Sequence, residues 1–121
     1  MRKPLKLTFK DLTKKSLNEW YAGTHWSKRK KIKDIYKLII KSQCREILTG
    51  KFIVDWLFTF EKNPLDASNC VAMLKMIEDI IFEKDDYKHM EIGKIKSVKG
   101  NKDEVKLTIY KIEKDLWNIF S

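Results

Sequence analysis

KFIVDWLFTFE, residues 51–61, places Phe52, Val54, Trp56, Phe58 and Phe60 on one side of an extended chain and Ile53 and Leu57 on the other. Alternation of this kind belongs to a strand, because successive side chains point to opposite faces. A strand with one solvated face has no use for apolar residues on both, so the stretch predicts a central strand covered by other elements. Asn63-Pro64 ends it. Asp66 or Ser68 then caps a predicted helix running to about Phe82, whose only polar interior positions are Lys75, Glu78 and Asp79. After the acidic turn Glu83-Lys84-Asp85-Asp86, two further strands are expected at about 88–98 and 104–112. The turn Gly100-Asn101-Lys102-Asp103 between them predicts a hairpin.

Upstream, residues 4–10 (PLKLTFK) alternate apolar and basic residues and read as a first strand. A polar loop through His25 follows, containing Leu17, Asn18, Trp20, Tyr21 and Gly23. From about Trp26 to Leu48 the pattern is helical, with Ile32, Ile35, Tyr36, Ile39, Ile40 and Ile47 along one side and Thr49-Gly50 as a stop signal. The order β-α-β-α-β-β predicts an α/β sandwich with a mixed sheet, one domain over residues 1–121. Leu116, Trp117, Ile119 and Phe120 make the last stretch, 113–121, a short amphipathic tail. It is expected to dock, either on its own domain or on a subunit or partner.

With 43% apolar residues in 121, the chain can build one hydrophobic core. The first fifteen residues alternate Lys with isolated apolar residues and do not read as a signal peptide, and no apolar run approaches the ~18 residues a bilayer needs. A soluble, cytoplasmic protein is expected. Cys44 and Cys70 fall in predicted helices without metal-type spacing and read as reduced packing residues. The 26 Lys and Arg against 17 Asp and Glu give a net charge of +9, which predicts a polyanionic partner. Nucleic acid is favoured over a membrane surface, because the basic residues accompany Trp and Tyr in a polar loop and form no continuous amphipathic face. No P-loop, dinucleotide fingerprint, zinc spacing or serine elbow is present, so no nucleotide cofactor is expected, and redox and acyl-transfer chemistry have no support.

Two constellations could carry chemistry. Lys28, Arg29, Lys30, Lys31, Lys33, Lys37 and Lys41 crowd one predicted helix beside Trp20, Tyr21, His25 and Trp26. Several phosphate contacts would give salt-dependent affinity, and ring faces could stack on bases exposed at a branch; a solvated helix face explains the lysines as well. The acidic set is Asp66 after the central strand, Asp79 along the following helix, and Asp85-Asp86 beyond it. Phosphodiester hydrolysis needs hard oxygen ligands for one or two Mg²⁺ ions, and carboxylates from two loops at one end of a sheet can converge to supply them. Asp79 fits less well, since thirteen residues of helix carry it ~20 Å from Asp66; an ion pair with Lys75 is its simpler role. His25 is a candidate general acid or phosphate ligand.

Asp66-Ala-Ser-Asn69, then Lys75, Asp79 and Lys84-Asp85-Asp86-Tyr-Lys88, resembles the RusA family of Holliday-junction resolvases, in which Asp-x-Asp-Asn opens a helix and an Asp-Asp turn closes the motif. Ser16-Leu17-Asn18 and His25-Trp26-Ser-Lys28-Arg29-Lys30 are similar to that family's Asn-bearing loop and basic helix start, so the likeness spans the first strand to about Ile112. The resemblance implies a homodimer that binds four-way junctions by shape and cleaves symmetrically with Mg²⁺, Mn²⁺ being a possible substitute. It assigns Asp66 and Asp85 or Asp86 to the metal and catalysis and matches Asn69 to the family's Asn; together with the basic cluster and His25 read from the sequence itself, the expected DNA contacts are Asn18, His25, Lys28, Arg29, Lys30, Lys31, Lys33 and Asn69. The chain departs at Ser68, where the family has its second Asp; a hydroxyl cannot replace that charge. The family's Lys position falls on Ala72, so Lys75 is the candidate for phosphate contact or transition-state charge neutralisation. Two functions follow: a junction-resolving endonuclease whose weaker metal site is completed by Ser68, a backbone carbonyl or Asp86, or a non-catalytic branched-DNA-binding protein.

Overall fold

In the computed structural model, which describes residues 3–23 and 25–112, β2 (Phe52–Phe60) lies inside a four-stranded sheet as its two apolar faces predict. Phe52, Val54, Trp56, Phe58 and Phe60 are at most 5% exposed and form the floor of the core. Each such burial contributes roughly 1.5–3 kcal/mol. The other strands are β1 (Leu5–Lys10), β3 (Met90–Lys99) and β4 (Glu104–Lys111), in the spatial order β1-β4-β2-β3. β4 is antiparallel to both β1 and β2, whereas β3 runs parallel to β2, so the mixed sheet has three parallel strands and one reversed.

The expected hairpin between the last two strands does not form, because β2 lies between them. α2 (Val71–Ile81) carries the chain back before β3 begins, which leaves β3 parallel to β2. The turn after β3 then crosses the end of β2 instead of folding back on β3. Gly100 donates its N–H to Phe60 O (2.9 Å), and the Asp103 carboxylate accepts the Glu61 N–H (2.8 Å), pinning the crossing to that strand end.

α1 spans Trp26–Gln43, five residues short of the expected end at Leu48. Cys44 turns extended, its N–H still bonded to Ile40 O at 2.8 Å, and Leu48 instead pairs with Phe82 as a single parallel bridge. Gly50, at φ +124°, turns the chain into β2 and not out of a helix. The buried stripe of α1 is Ile32, Tyr36 and Ile40, at spacing four; Ile35 and Ile47 are exposed. Tyr36 is fully buried and its hydroxyl bonds to Thr13 O, which ties α1 to the segment after β1. Burial raises its phenol pKa above the ordinary value.

α2 begins with a tight turn at Ala67–Cys70 and buries Ala72, Met73, Leu74, Met76, Ile77 and Ile81. It packs on α1, and the two helices share one core with the Phe52–Phe60 face of the sheet. The opposite sheet face carries Asp55, Leu57 and Thr59, half-buried, among exposed lysines. No helix among the described residues is long and apolar enough to cross a membrane. Cys44 and Cys70 are both free thiols, and Cys70 is fully buried, as packing residues should be. The amphipathic tail at 113–121 lies outside the described residues.

Candidate nucleic-acid interface and acidic corner

α1 presents its cations to solvent. Lys28, Lys30, Lys31, Lys33 and Lys37 are exposed, because the buried stripe at Ile32, Tyr36 and Ile40 forces adjacent positions outward. Arg29 differs: its guanidinium donates to Tyr21 O at 3.2 Å and stands over the Trp20 and Tyr21 rings, 5.8 and 5.7 Å from their centroids. It therefore braces the helix start against the preceding loop.

That loop is not a simple coil. Residues Glu19–Gly23 form one wide helical turn, opened by Ser16, whose hydroxyl accepts the Glu19 N–H at 3.1 Å. The Glu19 carboxyl faces the Ser16 N–H in return, and this contact holds its pKa below the ordinary value. Trp20 is buried in the core and offers no face for stacking, whereas Tyr21 and Trp26 are 59% and 71% exposed. Asn18 is exposed nearby. His25 caps α1: its Nδ1 accepts the Ser27 N–H at 3.3 Å and lies 2.9 Å from Ser27 Oγ. The histidine thus has a structural partner that its sequence context does not reveal.

The acidic residues divide differently from the expected grouping. Asp66 follows β2, beyond the Phe60 end, while Asp85 and Asp86 precede β3, whose first residue Met90 pairs with Phe52. Parallel β2 and β3 therefore set the two loops at opposite ends of the sheet. Nine residues of strand separate them, roughly 30 Å at 3.3 Å per residue. The expectation that they converge at one end fails within a single chain. Asp66 is exposed, makes no side-chain cap bond, and its carbonyl accepts the N–H groups of Asn69 (2.9 Å) and Cys70 (3.2 Å). Ser68 is exposed and Asn69 half-buried in the same turn.

The carboxylates that do meet are at the far end of α2. Asp79 shares a hydrogen bond with Asp85, and its pKa is raised by desolvation first, then by that bond and the Asp85 charge; Lys33 and Lys75 oppose the rise. Glu78 is 7% exposed and is pushed up to about 7, foremost by burial and then by Asp85 and Asp79. Asp86 turns away from this group. Its carboxylate lies 2.6 Å from His89 Nδ1 and accepts the Lys88 N–H at 3.0 Å, and the histidine contact holds it below the usual carboxylate range. Of the two adjacent aspartates, then, Asp85 joins the acidic corner and Asp86 closes a local turn. Lys33 and Lys37 of α1 line a small hollow with Asp79, so the basic helix and the acidic corner adjoin.

Among the described residues, no three His, Cys, Asp or Glu side chains stand together as ligands for a metal ion. Among the described residues, Asp66 and the Asp85-Asp86 pair stand too far apart to ligate one Mg²⁺ ion within a single chain. The charged residue the sequence signalled without a role is Glu78, inside an otherwise apolar run. Equally overlooked are Lys6, Lys94, Lys96 and Lys106, whose two-residue alternation along strands directs them to one sheet face. No known family model matches the chain, and no curated protein matches it.

Proposed function

We propose that the chain is a branched-DNA endonuclease of the RusA-like kind, acting as a homodimer with Mg²⁺. The observation that carries this reading is the hollow in which Lys33 and Lys37 of the cationic α1 face stand beside Asp79, an exposed member of the Glu78–Asp79–Asp85 corner. Lysines hold a phosphate backbone. Glu78 and Asp79, whose pKa values are raised by burial first and by neighbouring carboxylates second, are the kind of group a divalent cation relieves. The element order β-α-β-α-β-β and the motif residues Asp66, Asn69, Asp85 and Asp86 support the same reading.

The opposite placement of Asp66 and Asp85 dictates how such a site is assembled. If both ligate one ion, they come from different chains, and a two-fold dimer that sets the Asp66 end of one copy against the Asp85 end of the other makes two equivalent sites. Ser68 and Lys75 would then act from the Asp66-bearing helix. The alternative, which needs no metal, is a non-catalytic branched-DNA-binding protein; the separation of Asp66 from Asp85 by the length of β2 supports it. Incubation of purified protein with a labelled four-way junction in Mg²⁺ or Mn²⁺ separates them. Nicks abolished by Asp66→Asn support the nuclease; binding without nicks in either metal supports the binder. A gain of activity in Ser68→Asp would show that the missing carboxylate limits the site.

A further inference from the structure

The helices cover one face of the sheet, and the register fixes what stands on the other. Lys6, Thr108, Asp55 and Lys94 form one row across the four strands, and Thr8, Lys106, Leu57 and Lys96 form the next. These rows line a shallow groove of about 450 Å³, with all four lysines exposed and Thr8, Leu57 and Thr108 half-buried in its floor. Lys6 on β1 and the Lys94–Lys96 pair on β3 stand three strand spacings apart, about 14 Å, with Lys106 between them. Glu104, its side chain largely covered, lies 3.6 Å from Lys106 and offsets part of that charge, while the Lys106 side chain stays half exposed at the groove; Lys6, Lys94 and Lys96 complete the basic rim. Asp55 lies over Gly93, at the bulge between Val54 and Asp55, where any Cβ would meet its carboxylate.

From this placement we infer that the open sheet face is a second phosphate-backbone site, holding a DNA duplex arm other than the arm held by α1. The inference rests on the branched-DNA reading above. Charge complementarity names the occupant: a lysine-rimmed groove attracts a polyanion, whereas a second copy docked face to face would bring lysine rows against each other. The groove floor itself carries no ring, since the Trp56 side chain points into the core and the exposed Tyr110 stands one row further along the same face, beyond the groove; the lysine rim therefore contacts the backbone of a duplex, a contact that carries no sequence preference. α1 and this face lie in different layers of the two-layer fold, so one straight duplex cannot lie along both. A branched molecule offers the second arm.

The test compares the salt dependence of binding to a four-way junction and to a linear duplex. One variant carries Lys6→Gln, Lys94→Gln, Lys96→Gln and Lys106→Gln; a second carries Arg at the same four positions; a third carries Lys28→Gln, Lys30→Gln and Lys31→Gln. For the junction, the sheet Gln variant should flatten the slope of log K against log salt by up to about 3.6 units, at about 0.9 per lost contact. The Arg variant should keep the wild-type slope, and the linear duplex, free to use α1, should lose less than about one unit in the sheet variant. A junction slope unchanged by the sheet Gln variant while the helix variant flattens it overturns the inference and leaves the branched-DNA reading standing. Equal flattening on the linear duplex overturns the two-arm placement. Loss of self-association in the Gln variant, read by sedimentation, overturns it in favour of a second copy. Failure of the wild-type chain to bind either DNA sinks both readings, and cleavage does not enter the comparison.

Discussion

Glu78 is a residue whose environment moves its titration into the neutral pH range. Its folded-state pKa, raised to about 7 by burial and by Asp85 and Asp79, lies above its ordinary value of 4.5. Between those values the folded chain holds a proton that the unfolded chain releases, so stability falls as pH rises through this window, and the whole penalty applies above pH 7. Glu78→Gln should therefore stabilise the protein at pH 8 by up to about 3 kcal/mol and change little at pH 4. Thermal unfolding at both pH values decides it: an equal shift at the two would show that packing, not charge, is responsible. Asp66, Lys75 and the Asp85-Asp86 pair are visible in the sequence as residue types, but their grouping is not. The partner of Asp85 is set by the end of α2, and that of Asp86 by His89 three residues on. A reading of spacing could not separate two adjacent aspartates that face opposite ways.

At the scale of elements, the strand at 51–61 and its central position were legible because apolar residues on both faces leave few alternatives. The hairpin was not legible. Gly100 to Asp103 has the composition of a tight turn, yet those residues bridge the end of β2, and only the parallel course imposed by α2 reveals it. Gly100 is required there because a Cβ would collide with the Thr59 methyl group. Gly100→Ala should cost about 1–3 kcal/mol, and Thr59→Ser should recover part of it. Urea unfolding of the two single variants and the double variant measures the coupling; strictly additive losses would show that the crossing is looser than described. Truncating the floor of the core is a larger insult. Phe58→Ala should destabilise by about 3–5 kcal/mol, and a loss below about 1 kcal/mol would contradict its full burial in the core. The helical reading of 44–48 failed for a simpler reason: Leu48 gains a backbone partner in Phe82 and leaves the α1 axis.

At the scale of the molecule, the net charge of +9 is divided between two layers, with one lysine set on α1 and another on the open sheet face. Charge composition leads to the expectation of a polyanion partner, but only strand register could show the second basic surface. The same topology separates Asp66 from Asp85, so the proposed nuclease is complete only as a pair of chains. Mixing two inactive variants tests this most directly. Asp66→Asn and the double variant Asp85→Asn, Asp86→Asn should each fail to nick a four-way junction in Mg²⁺. After the two are unfolded and refolded together, half of the dimers pair one chain of each kind, and each such dimer holds one site with every carboxylate intact. Nicking should return to about a quarter of the wild-type level, the share of intact sites that random pairing gives in a two-fold dimer. A refolded mixture that binds the junction and still makes no nicks, beside a wild-type chain that cuts it, would contradict a site shared between chains; a wild-type chain that binds without cutting would contradict the nuclease itself.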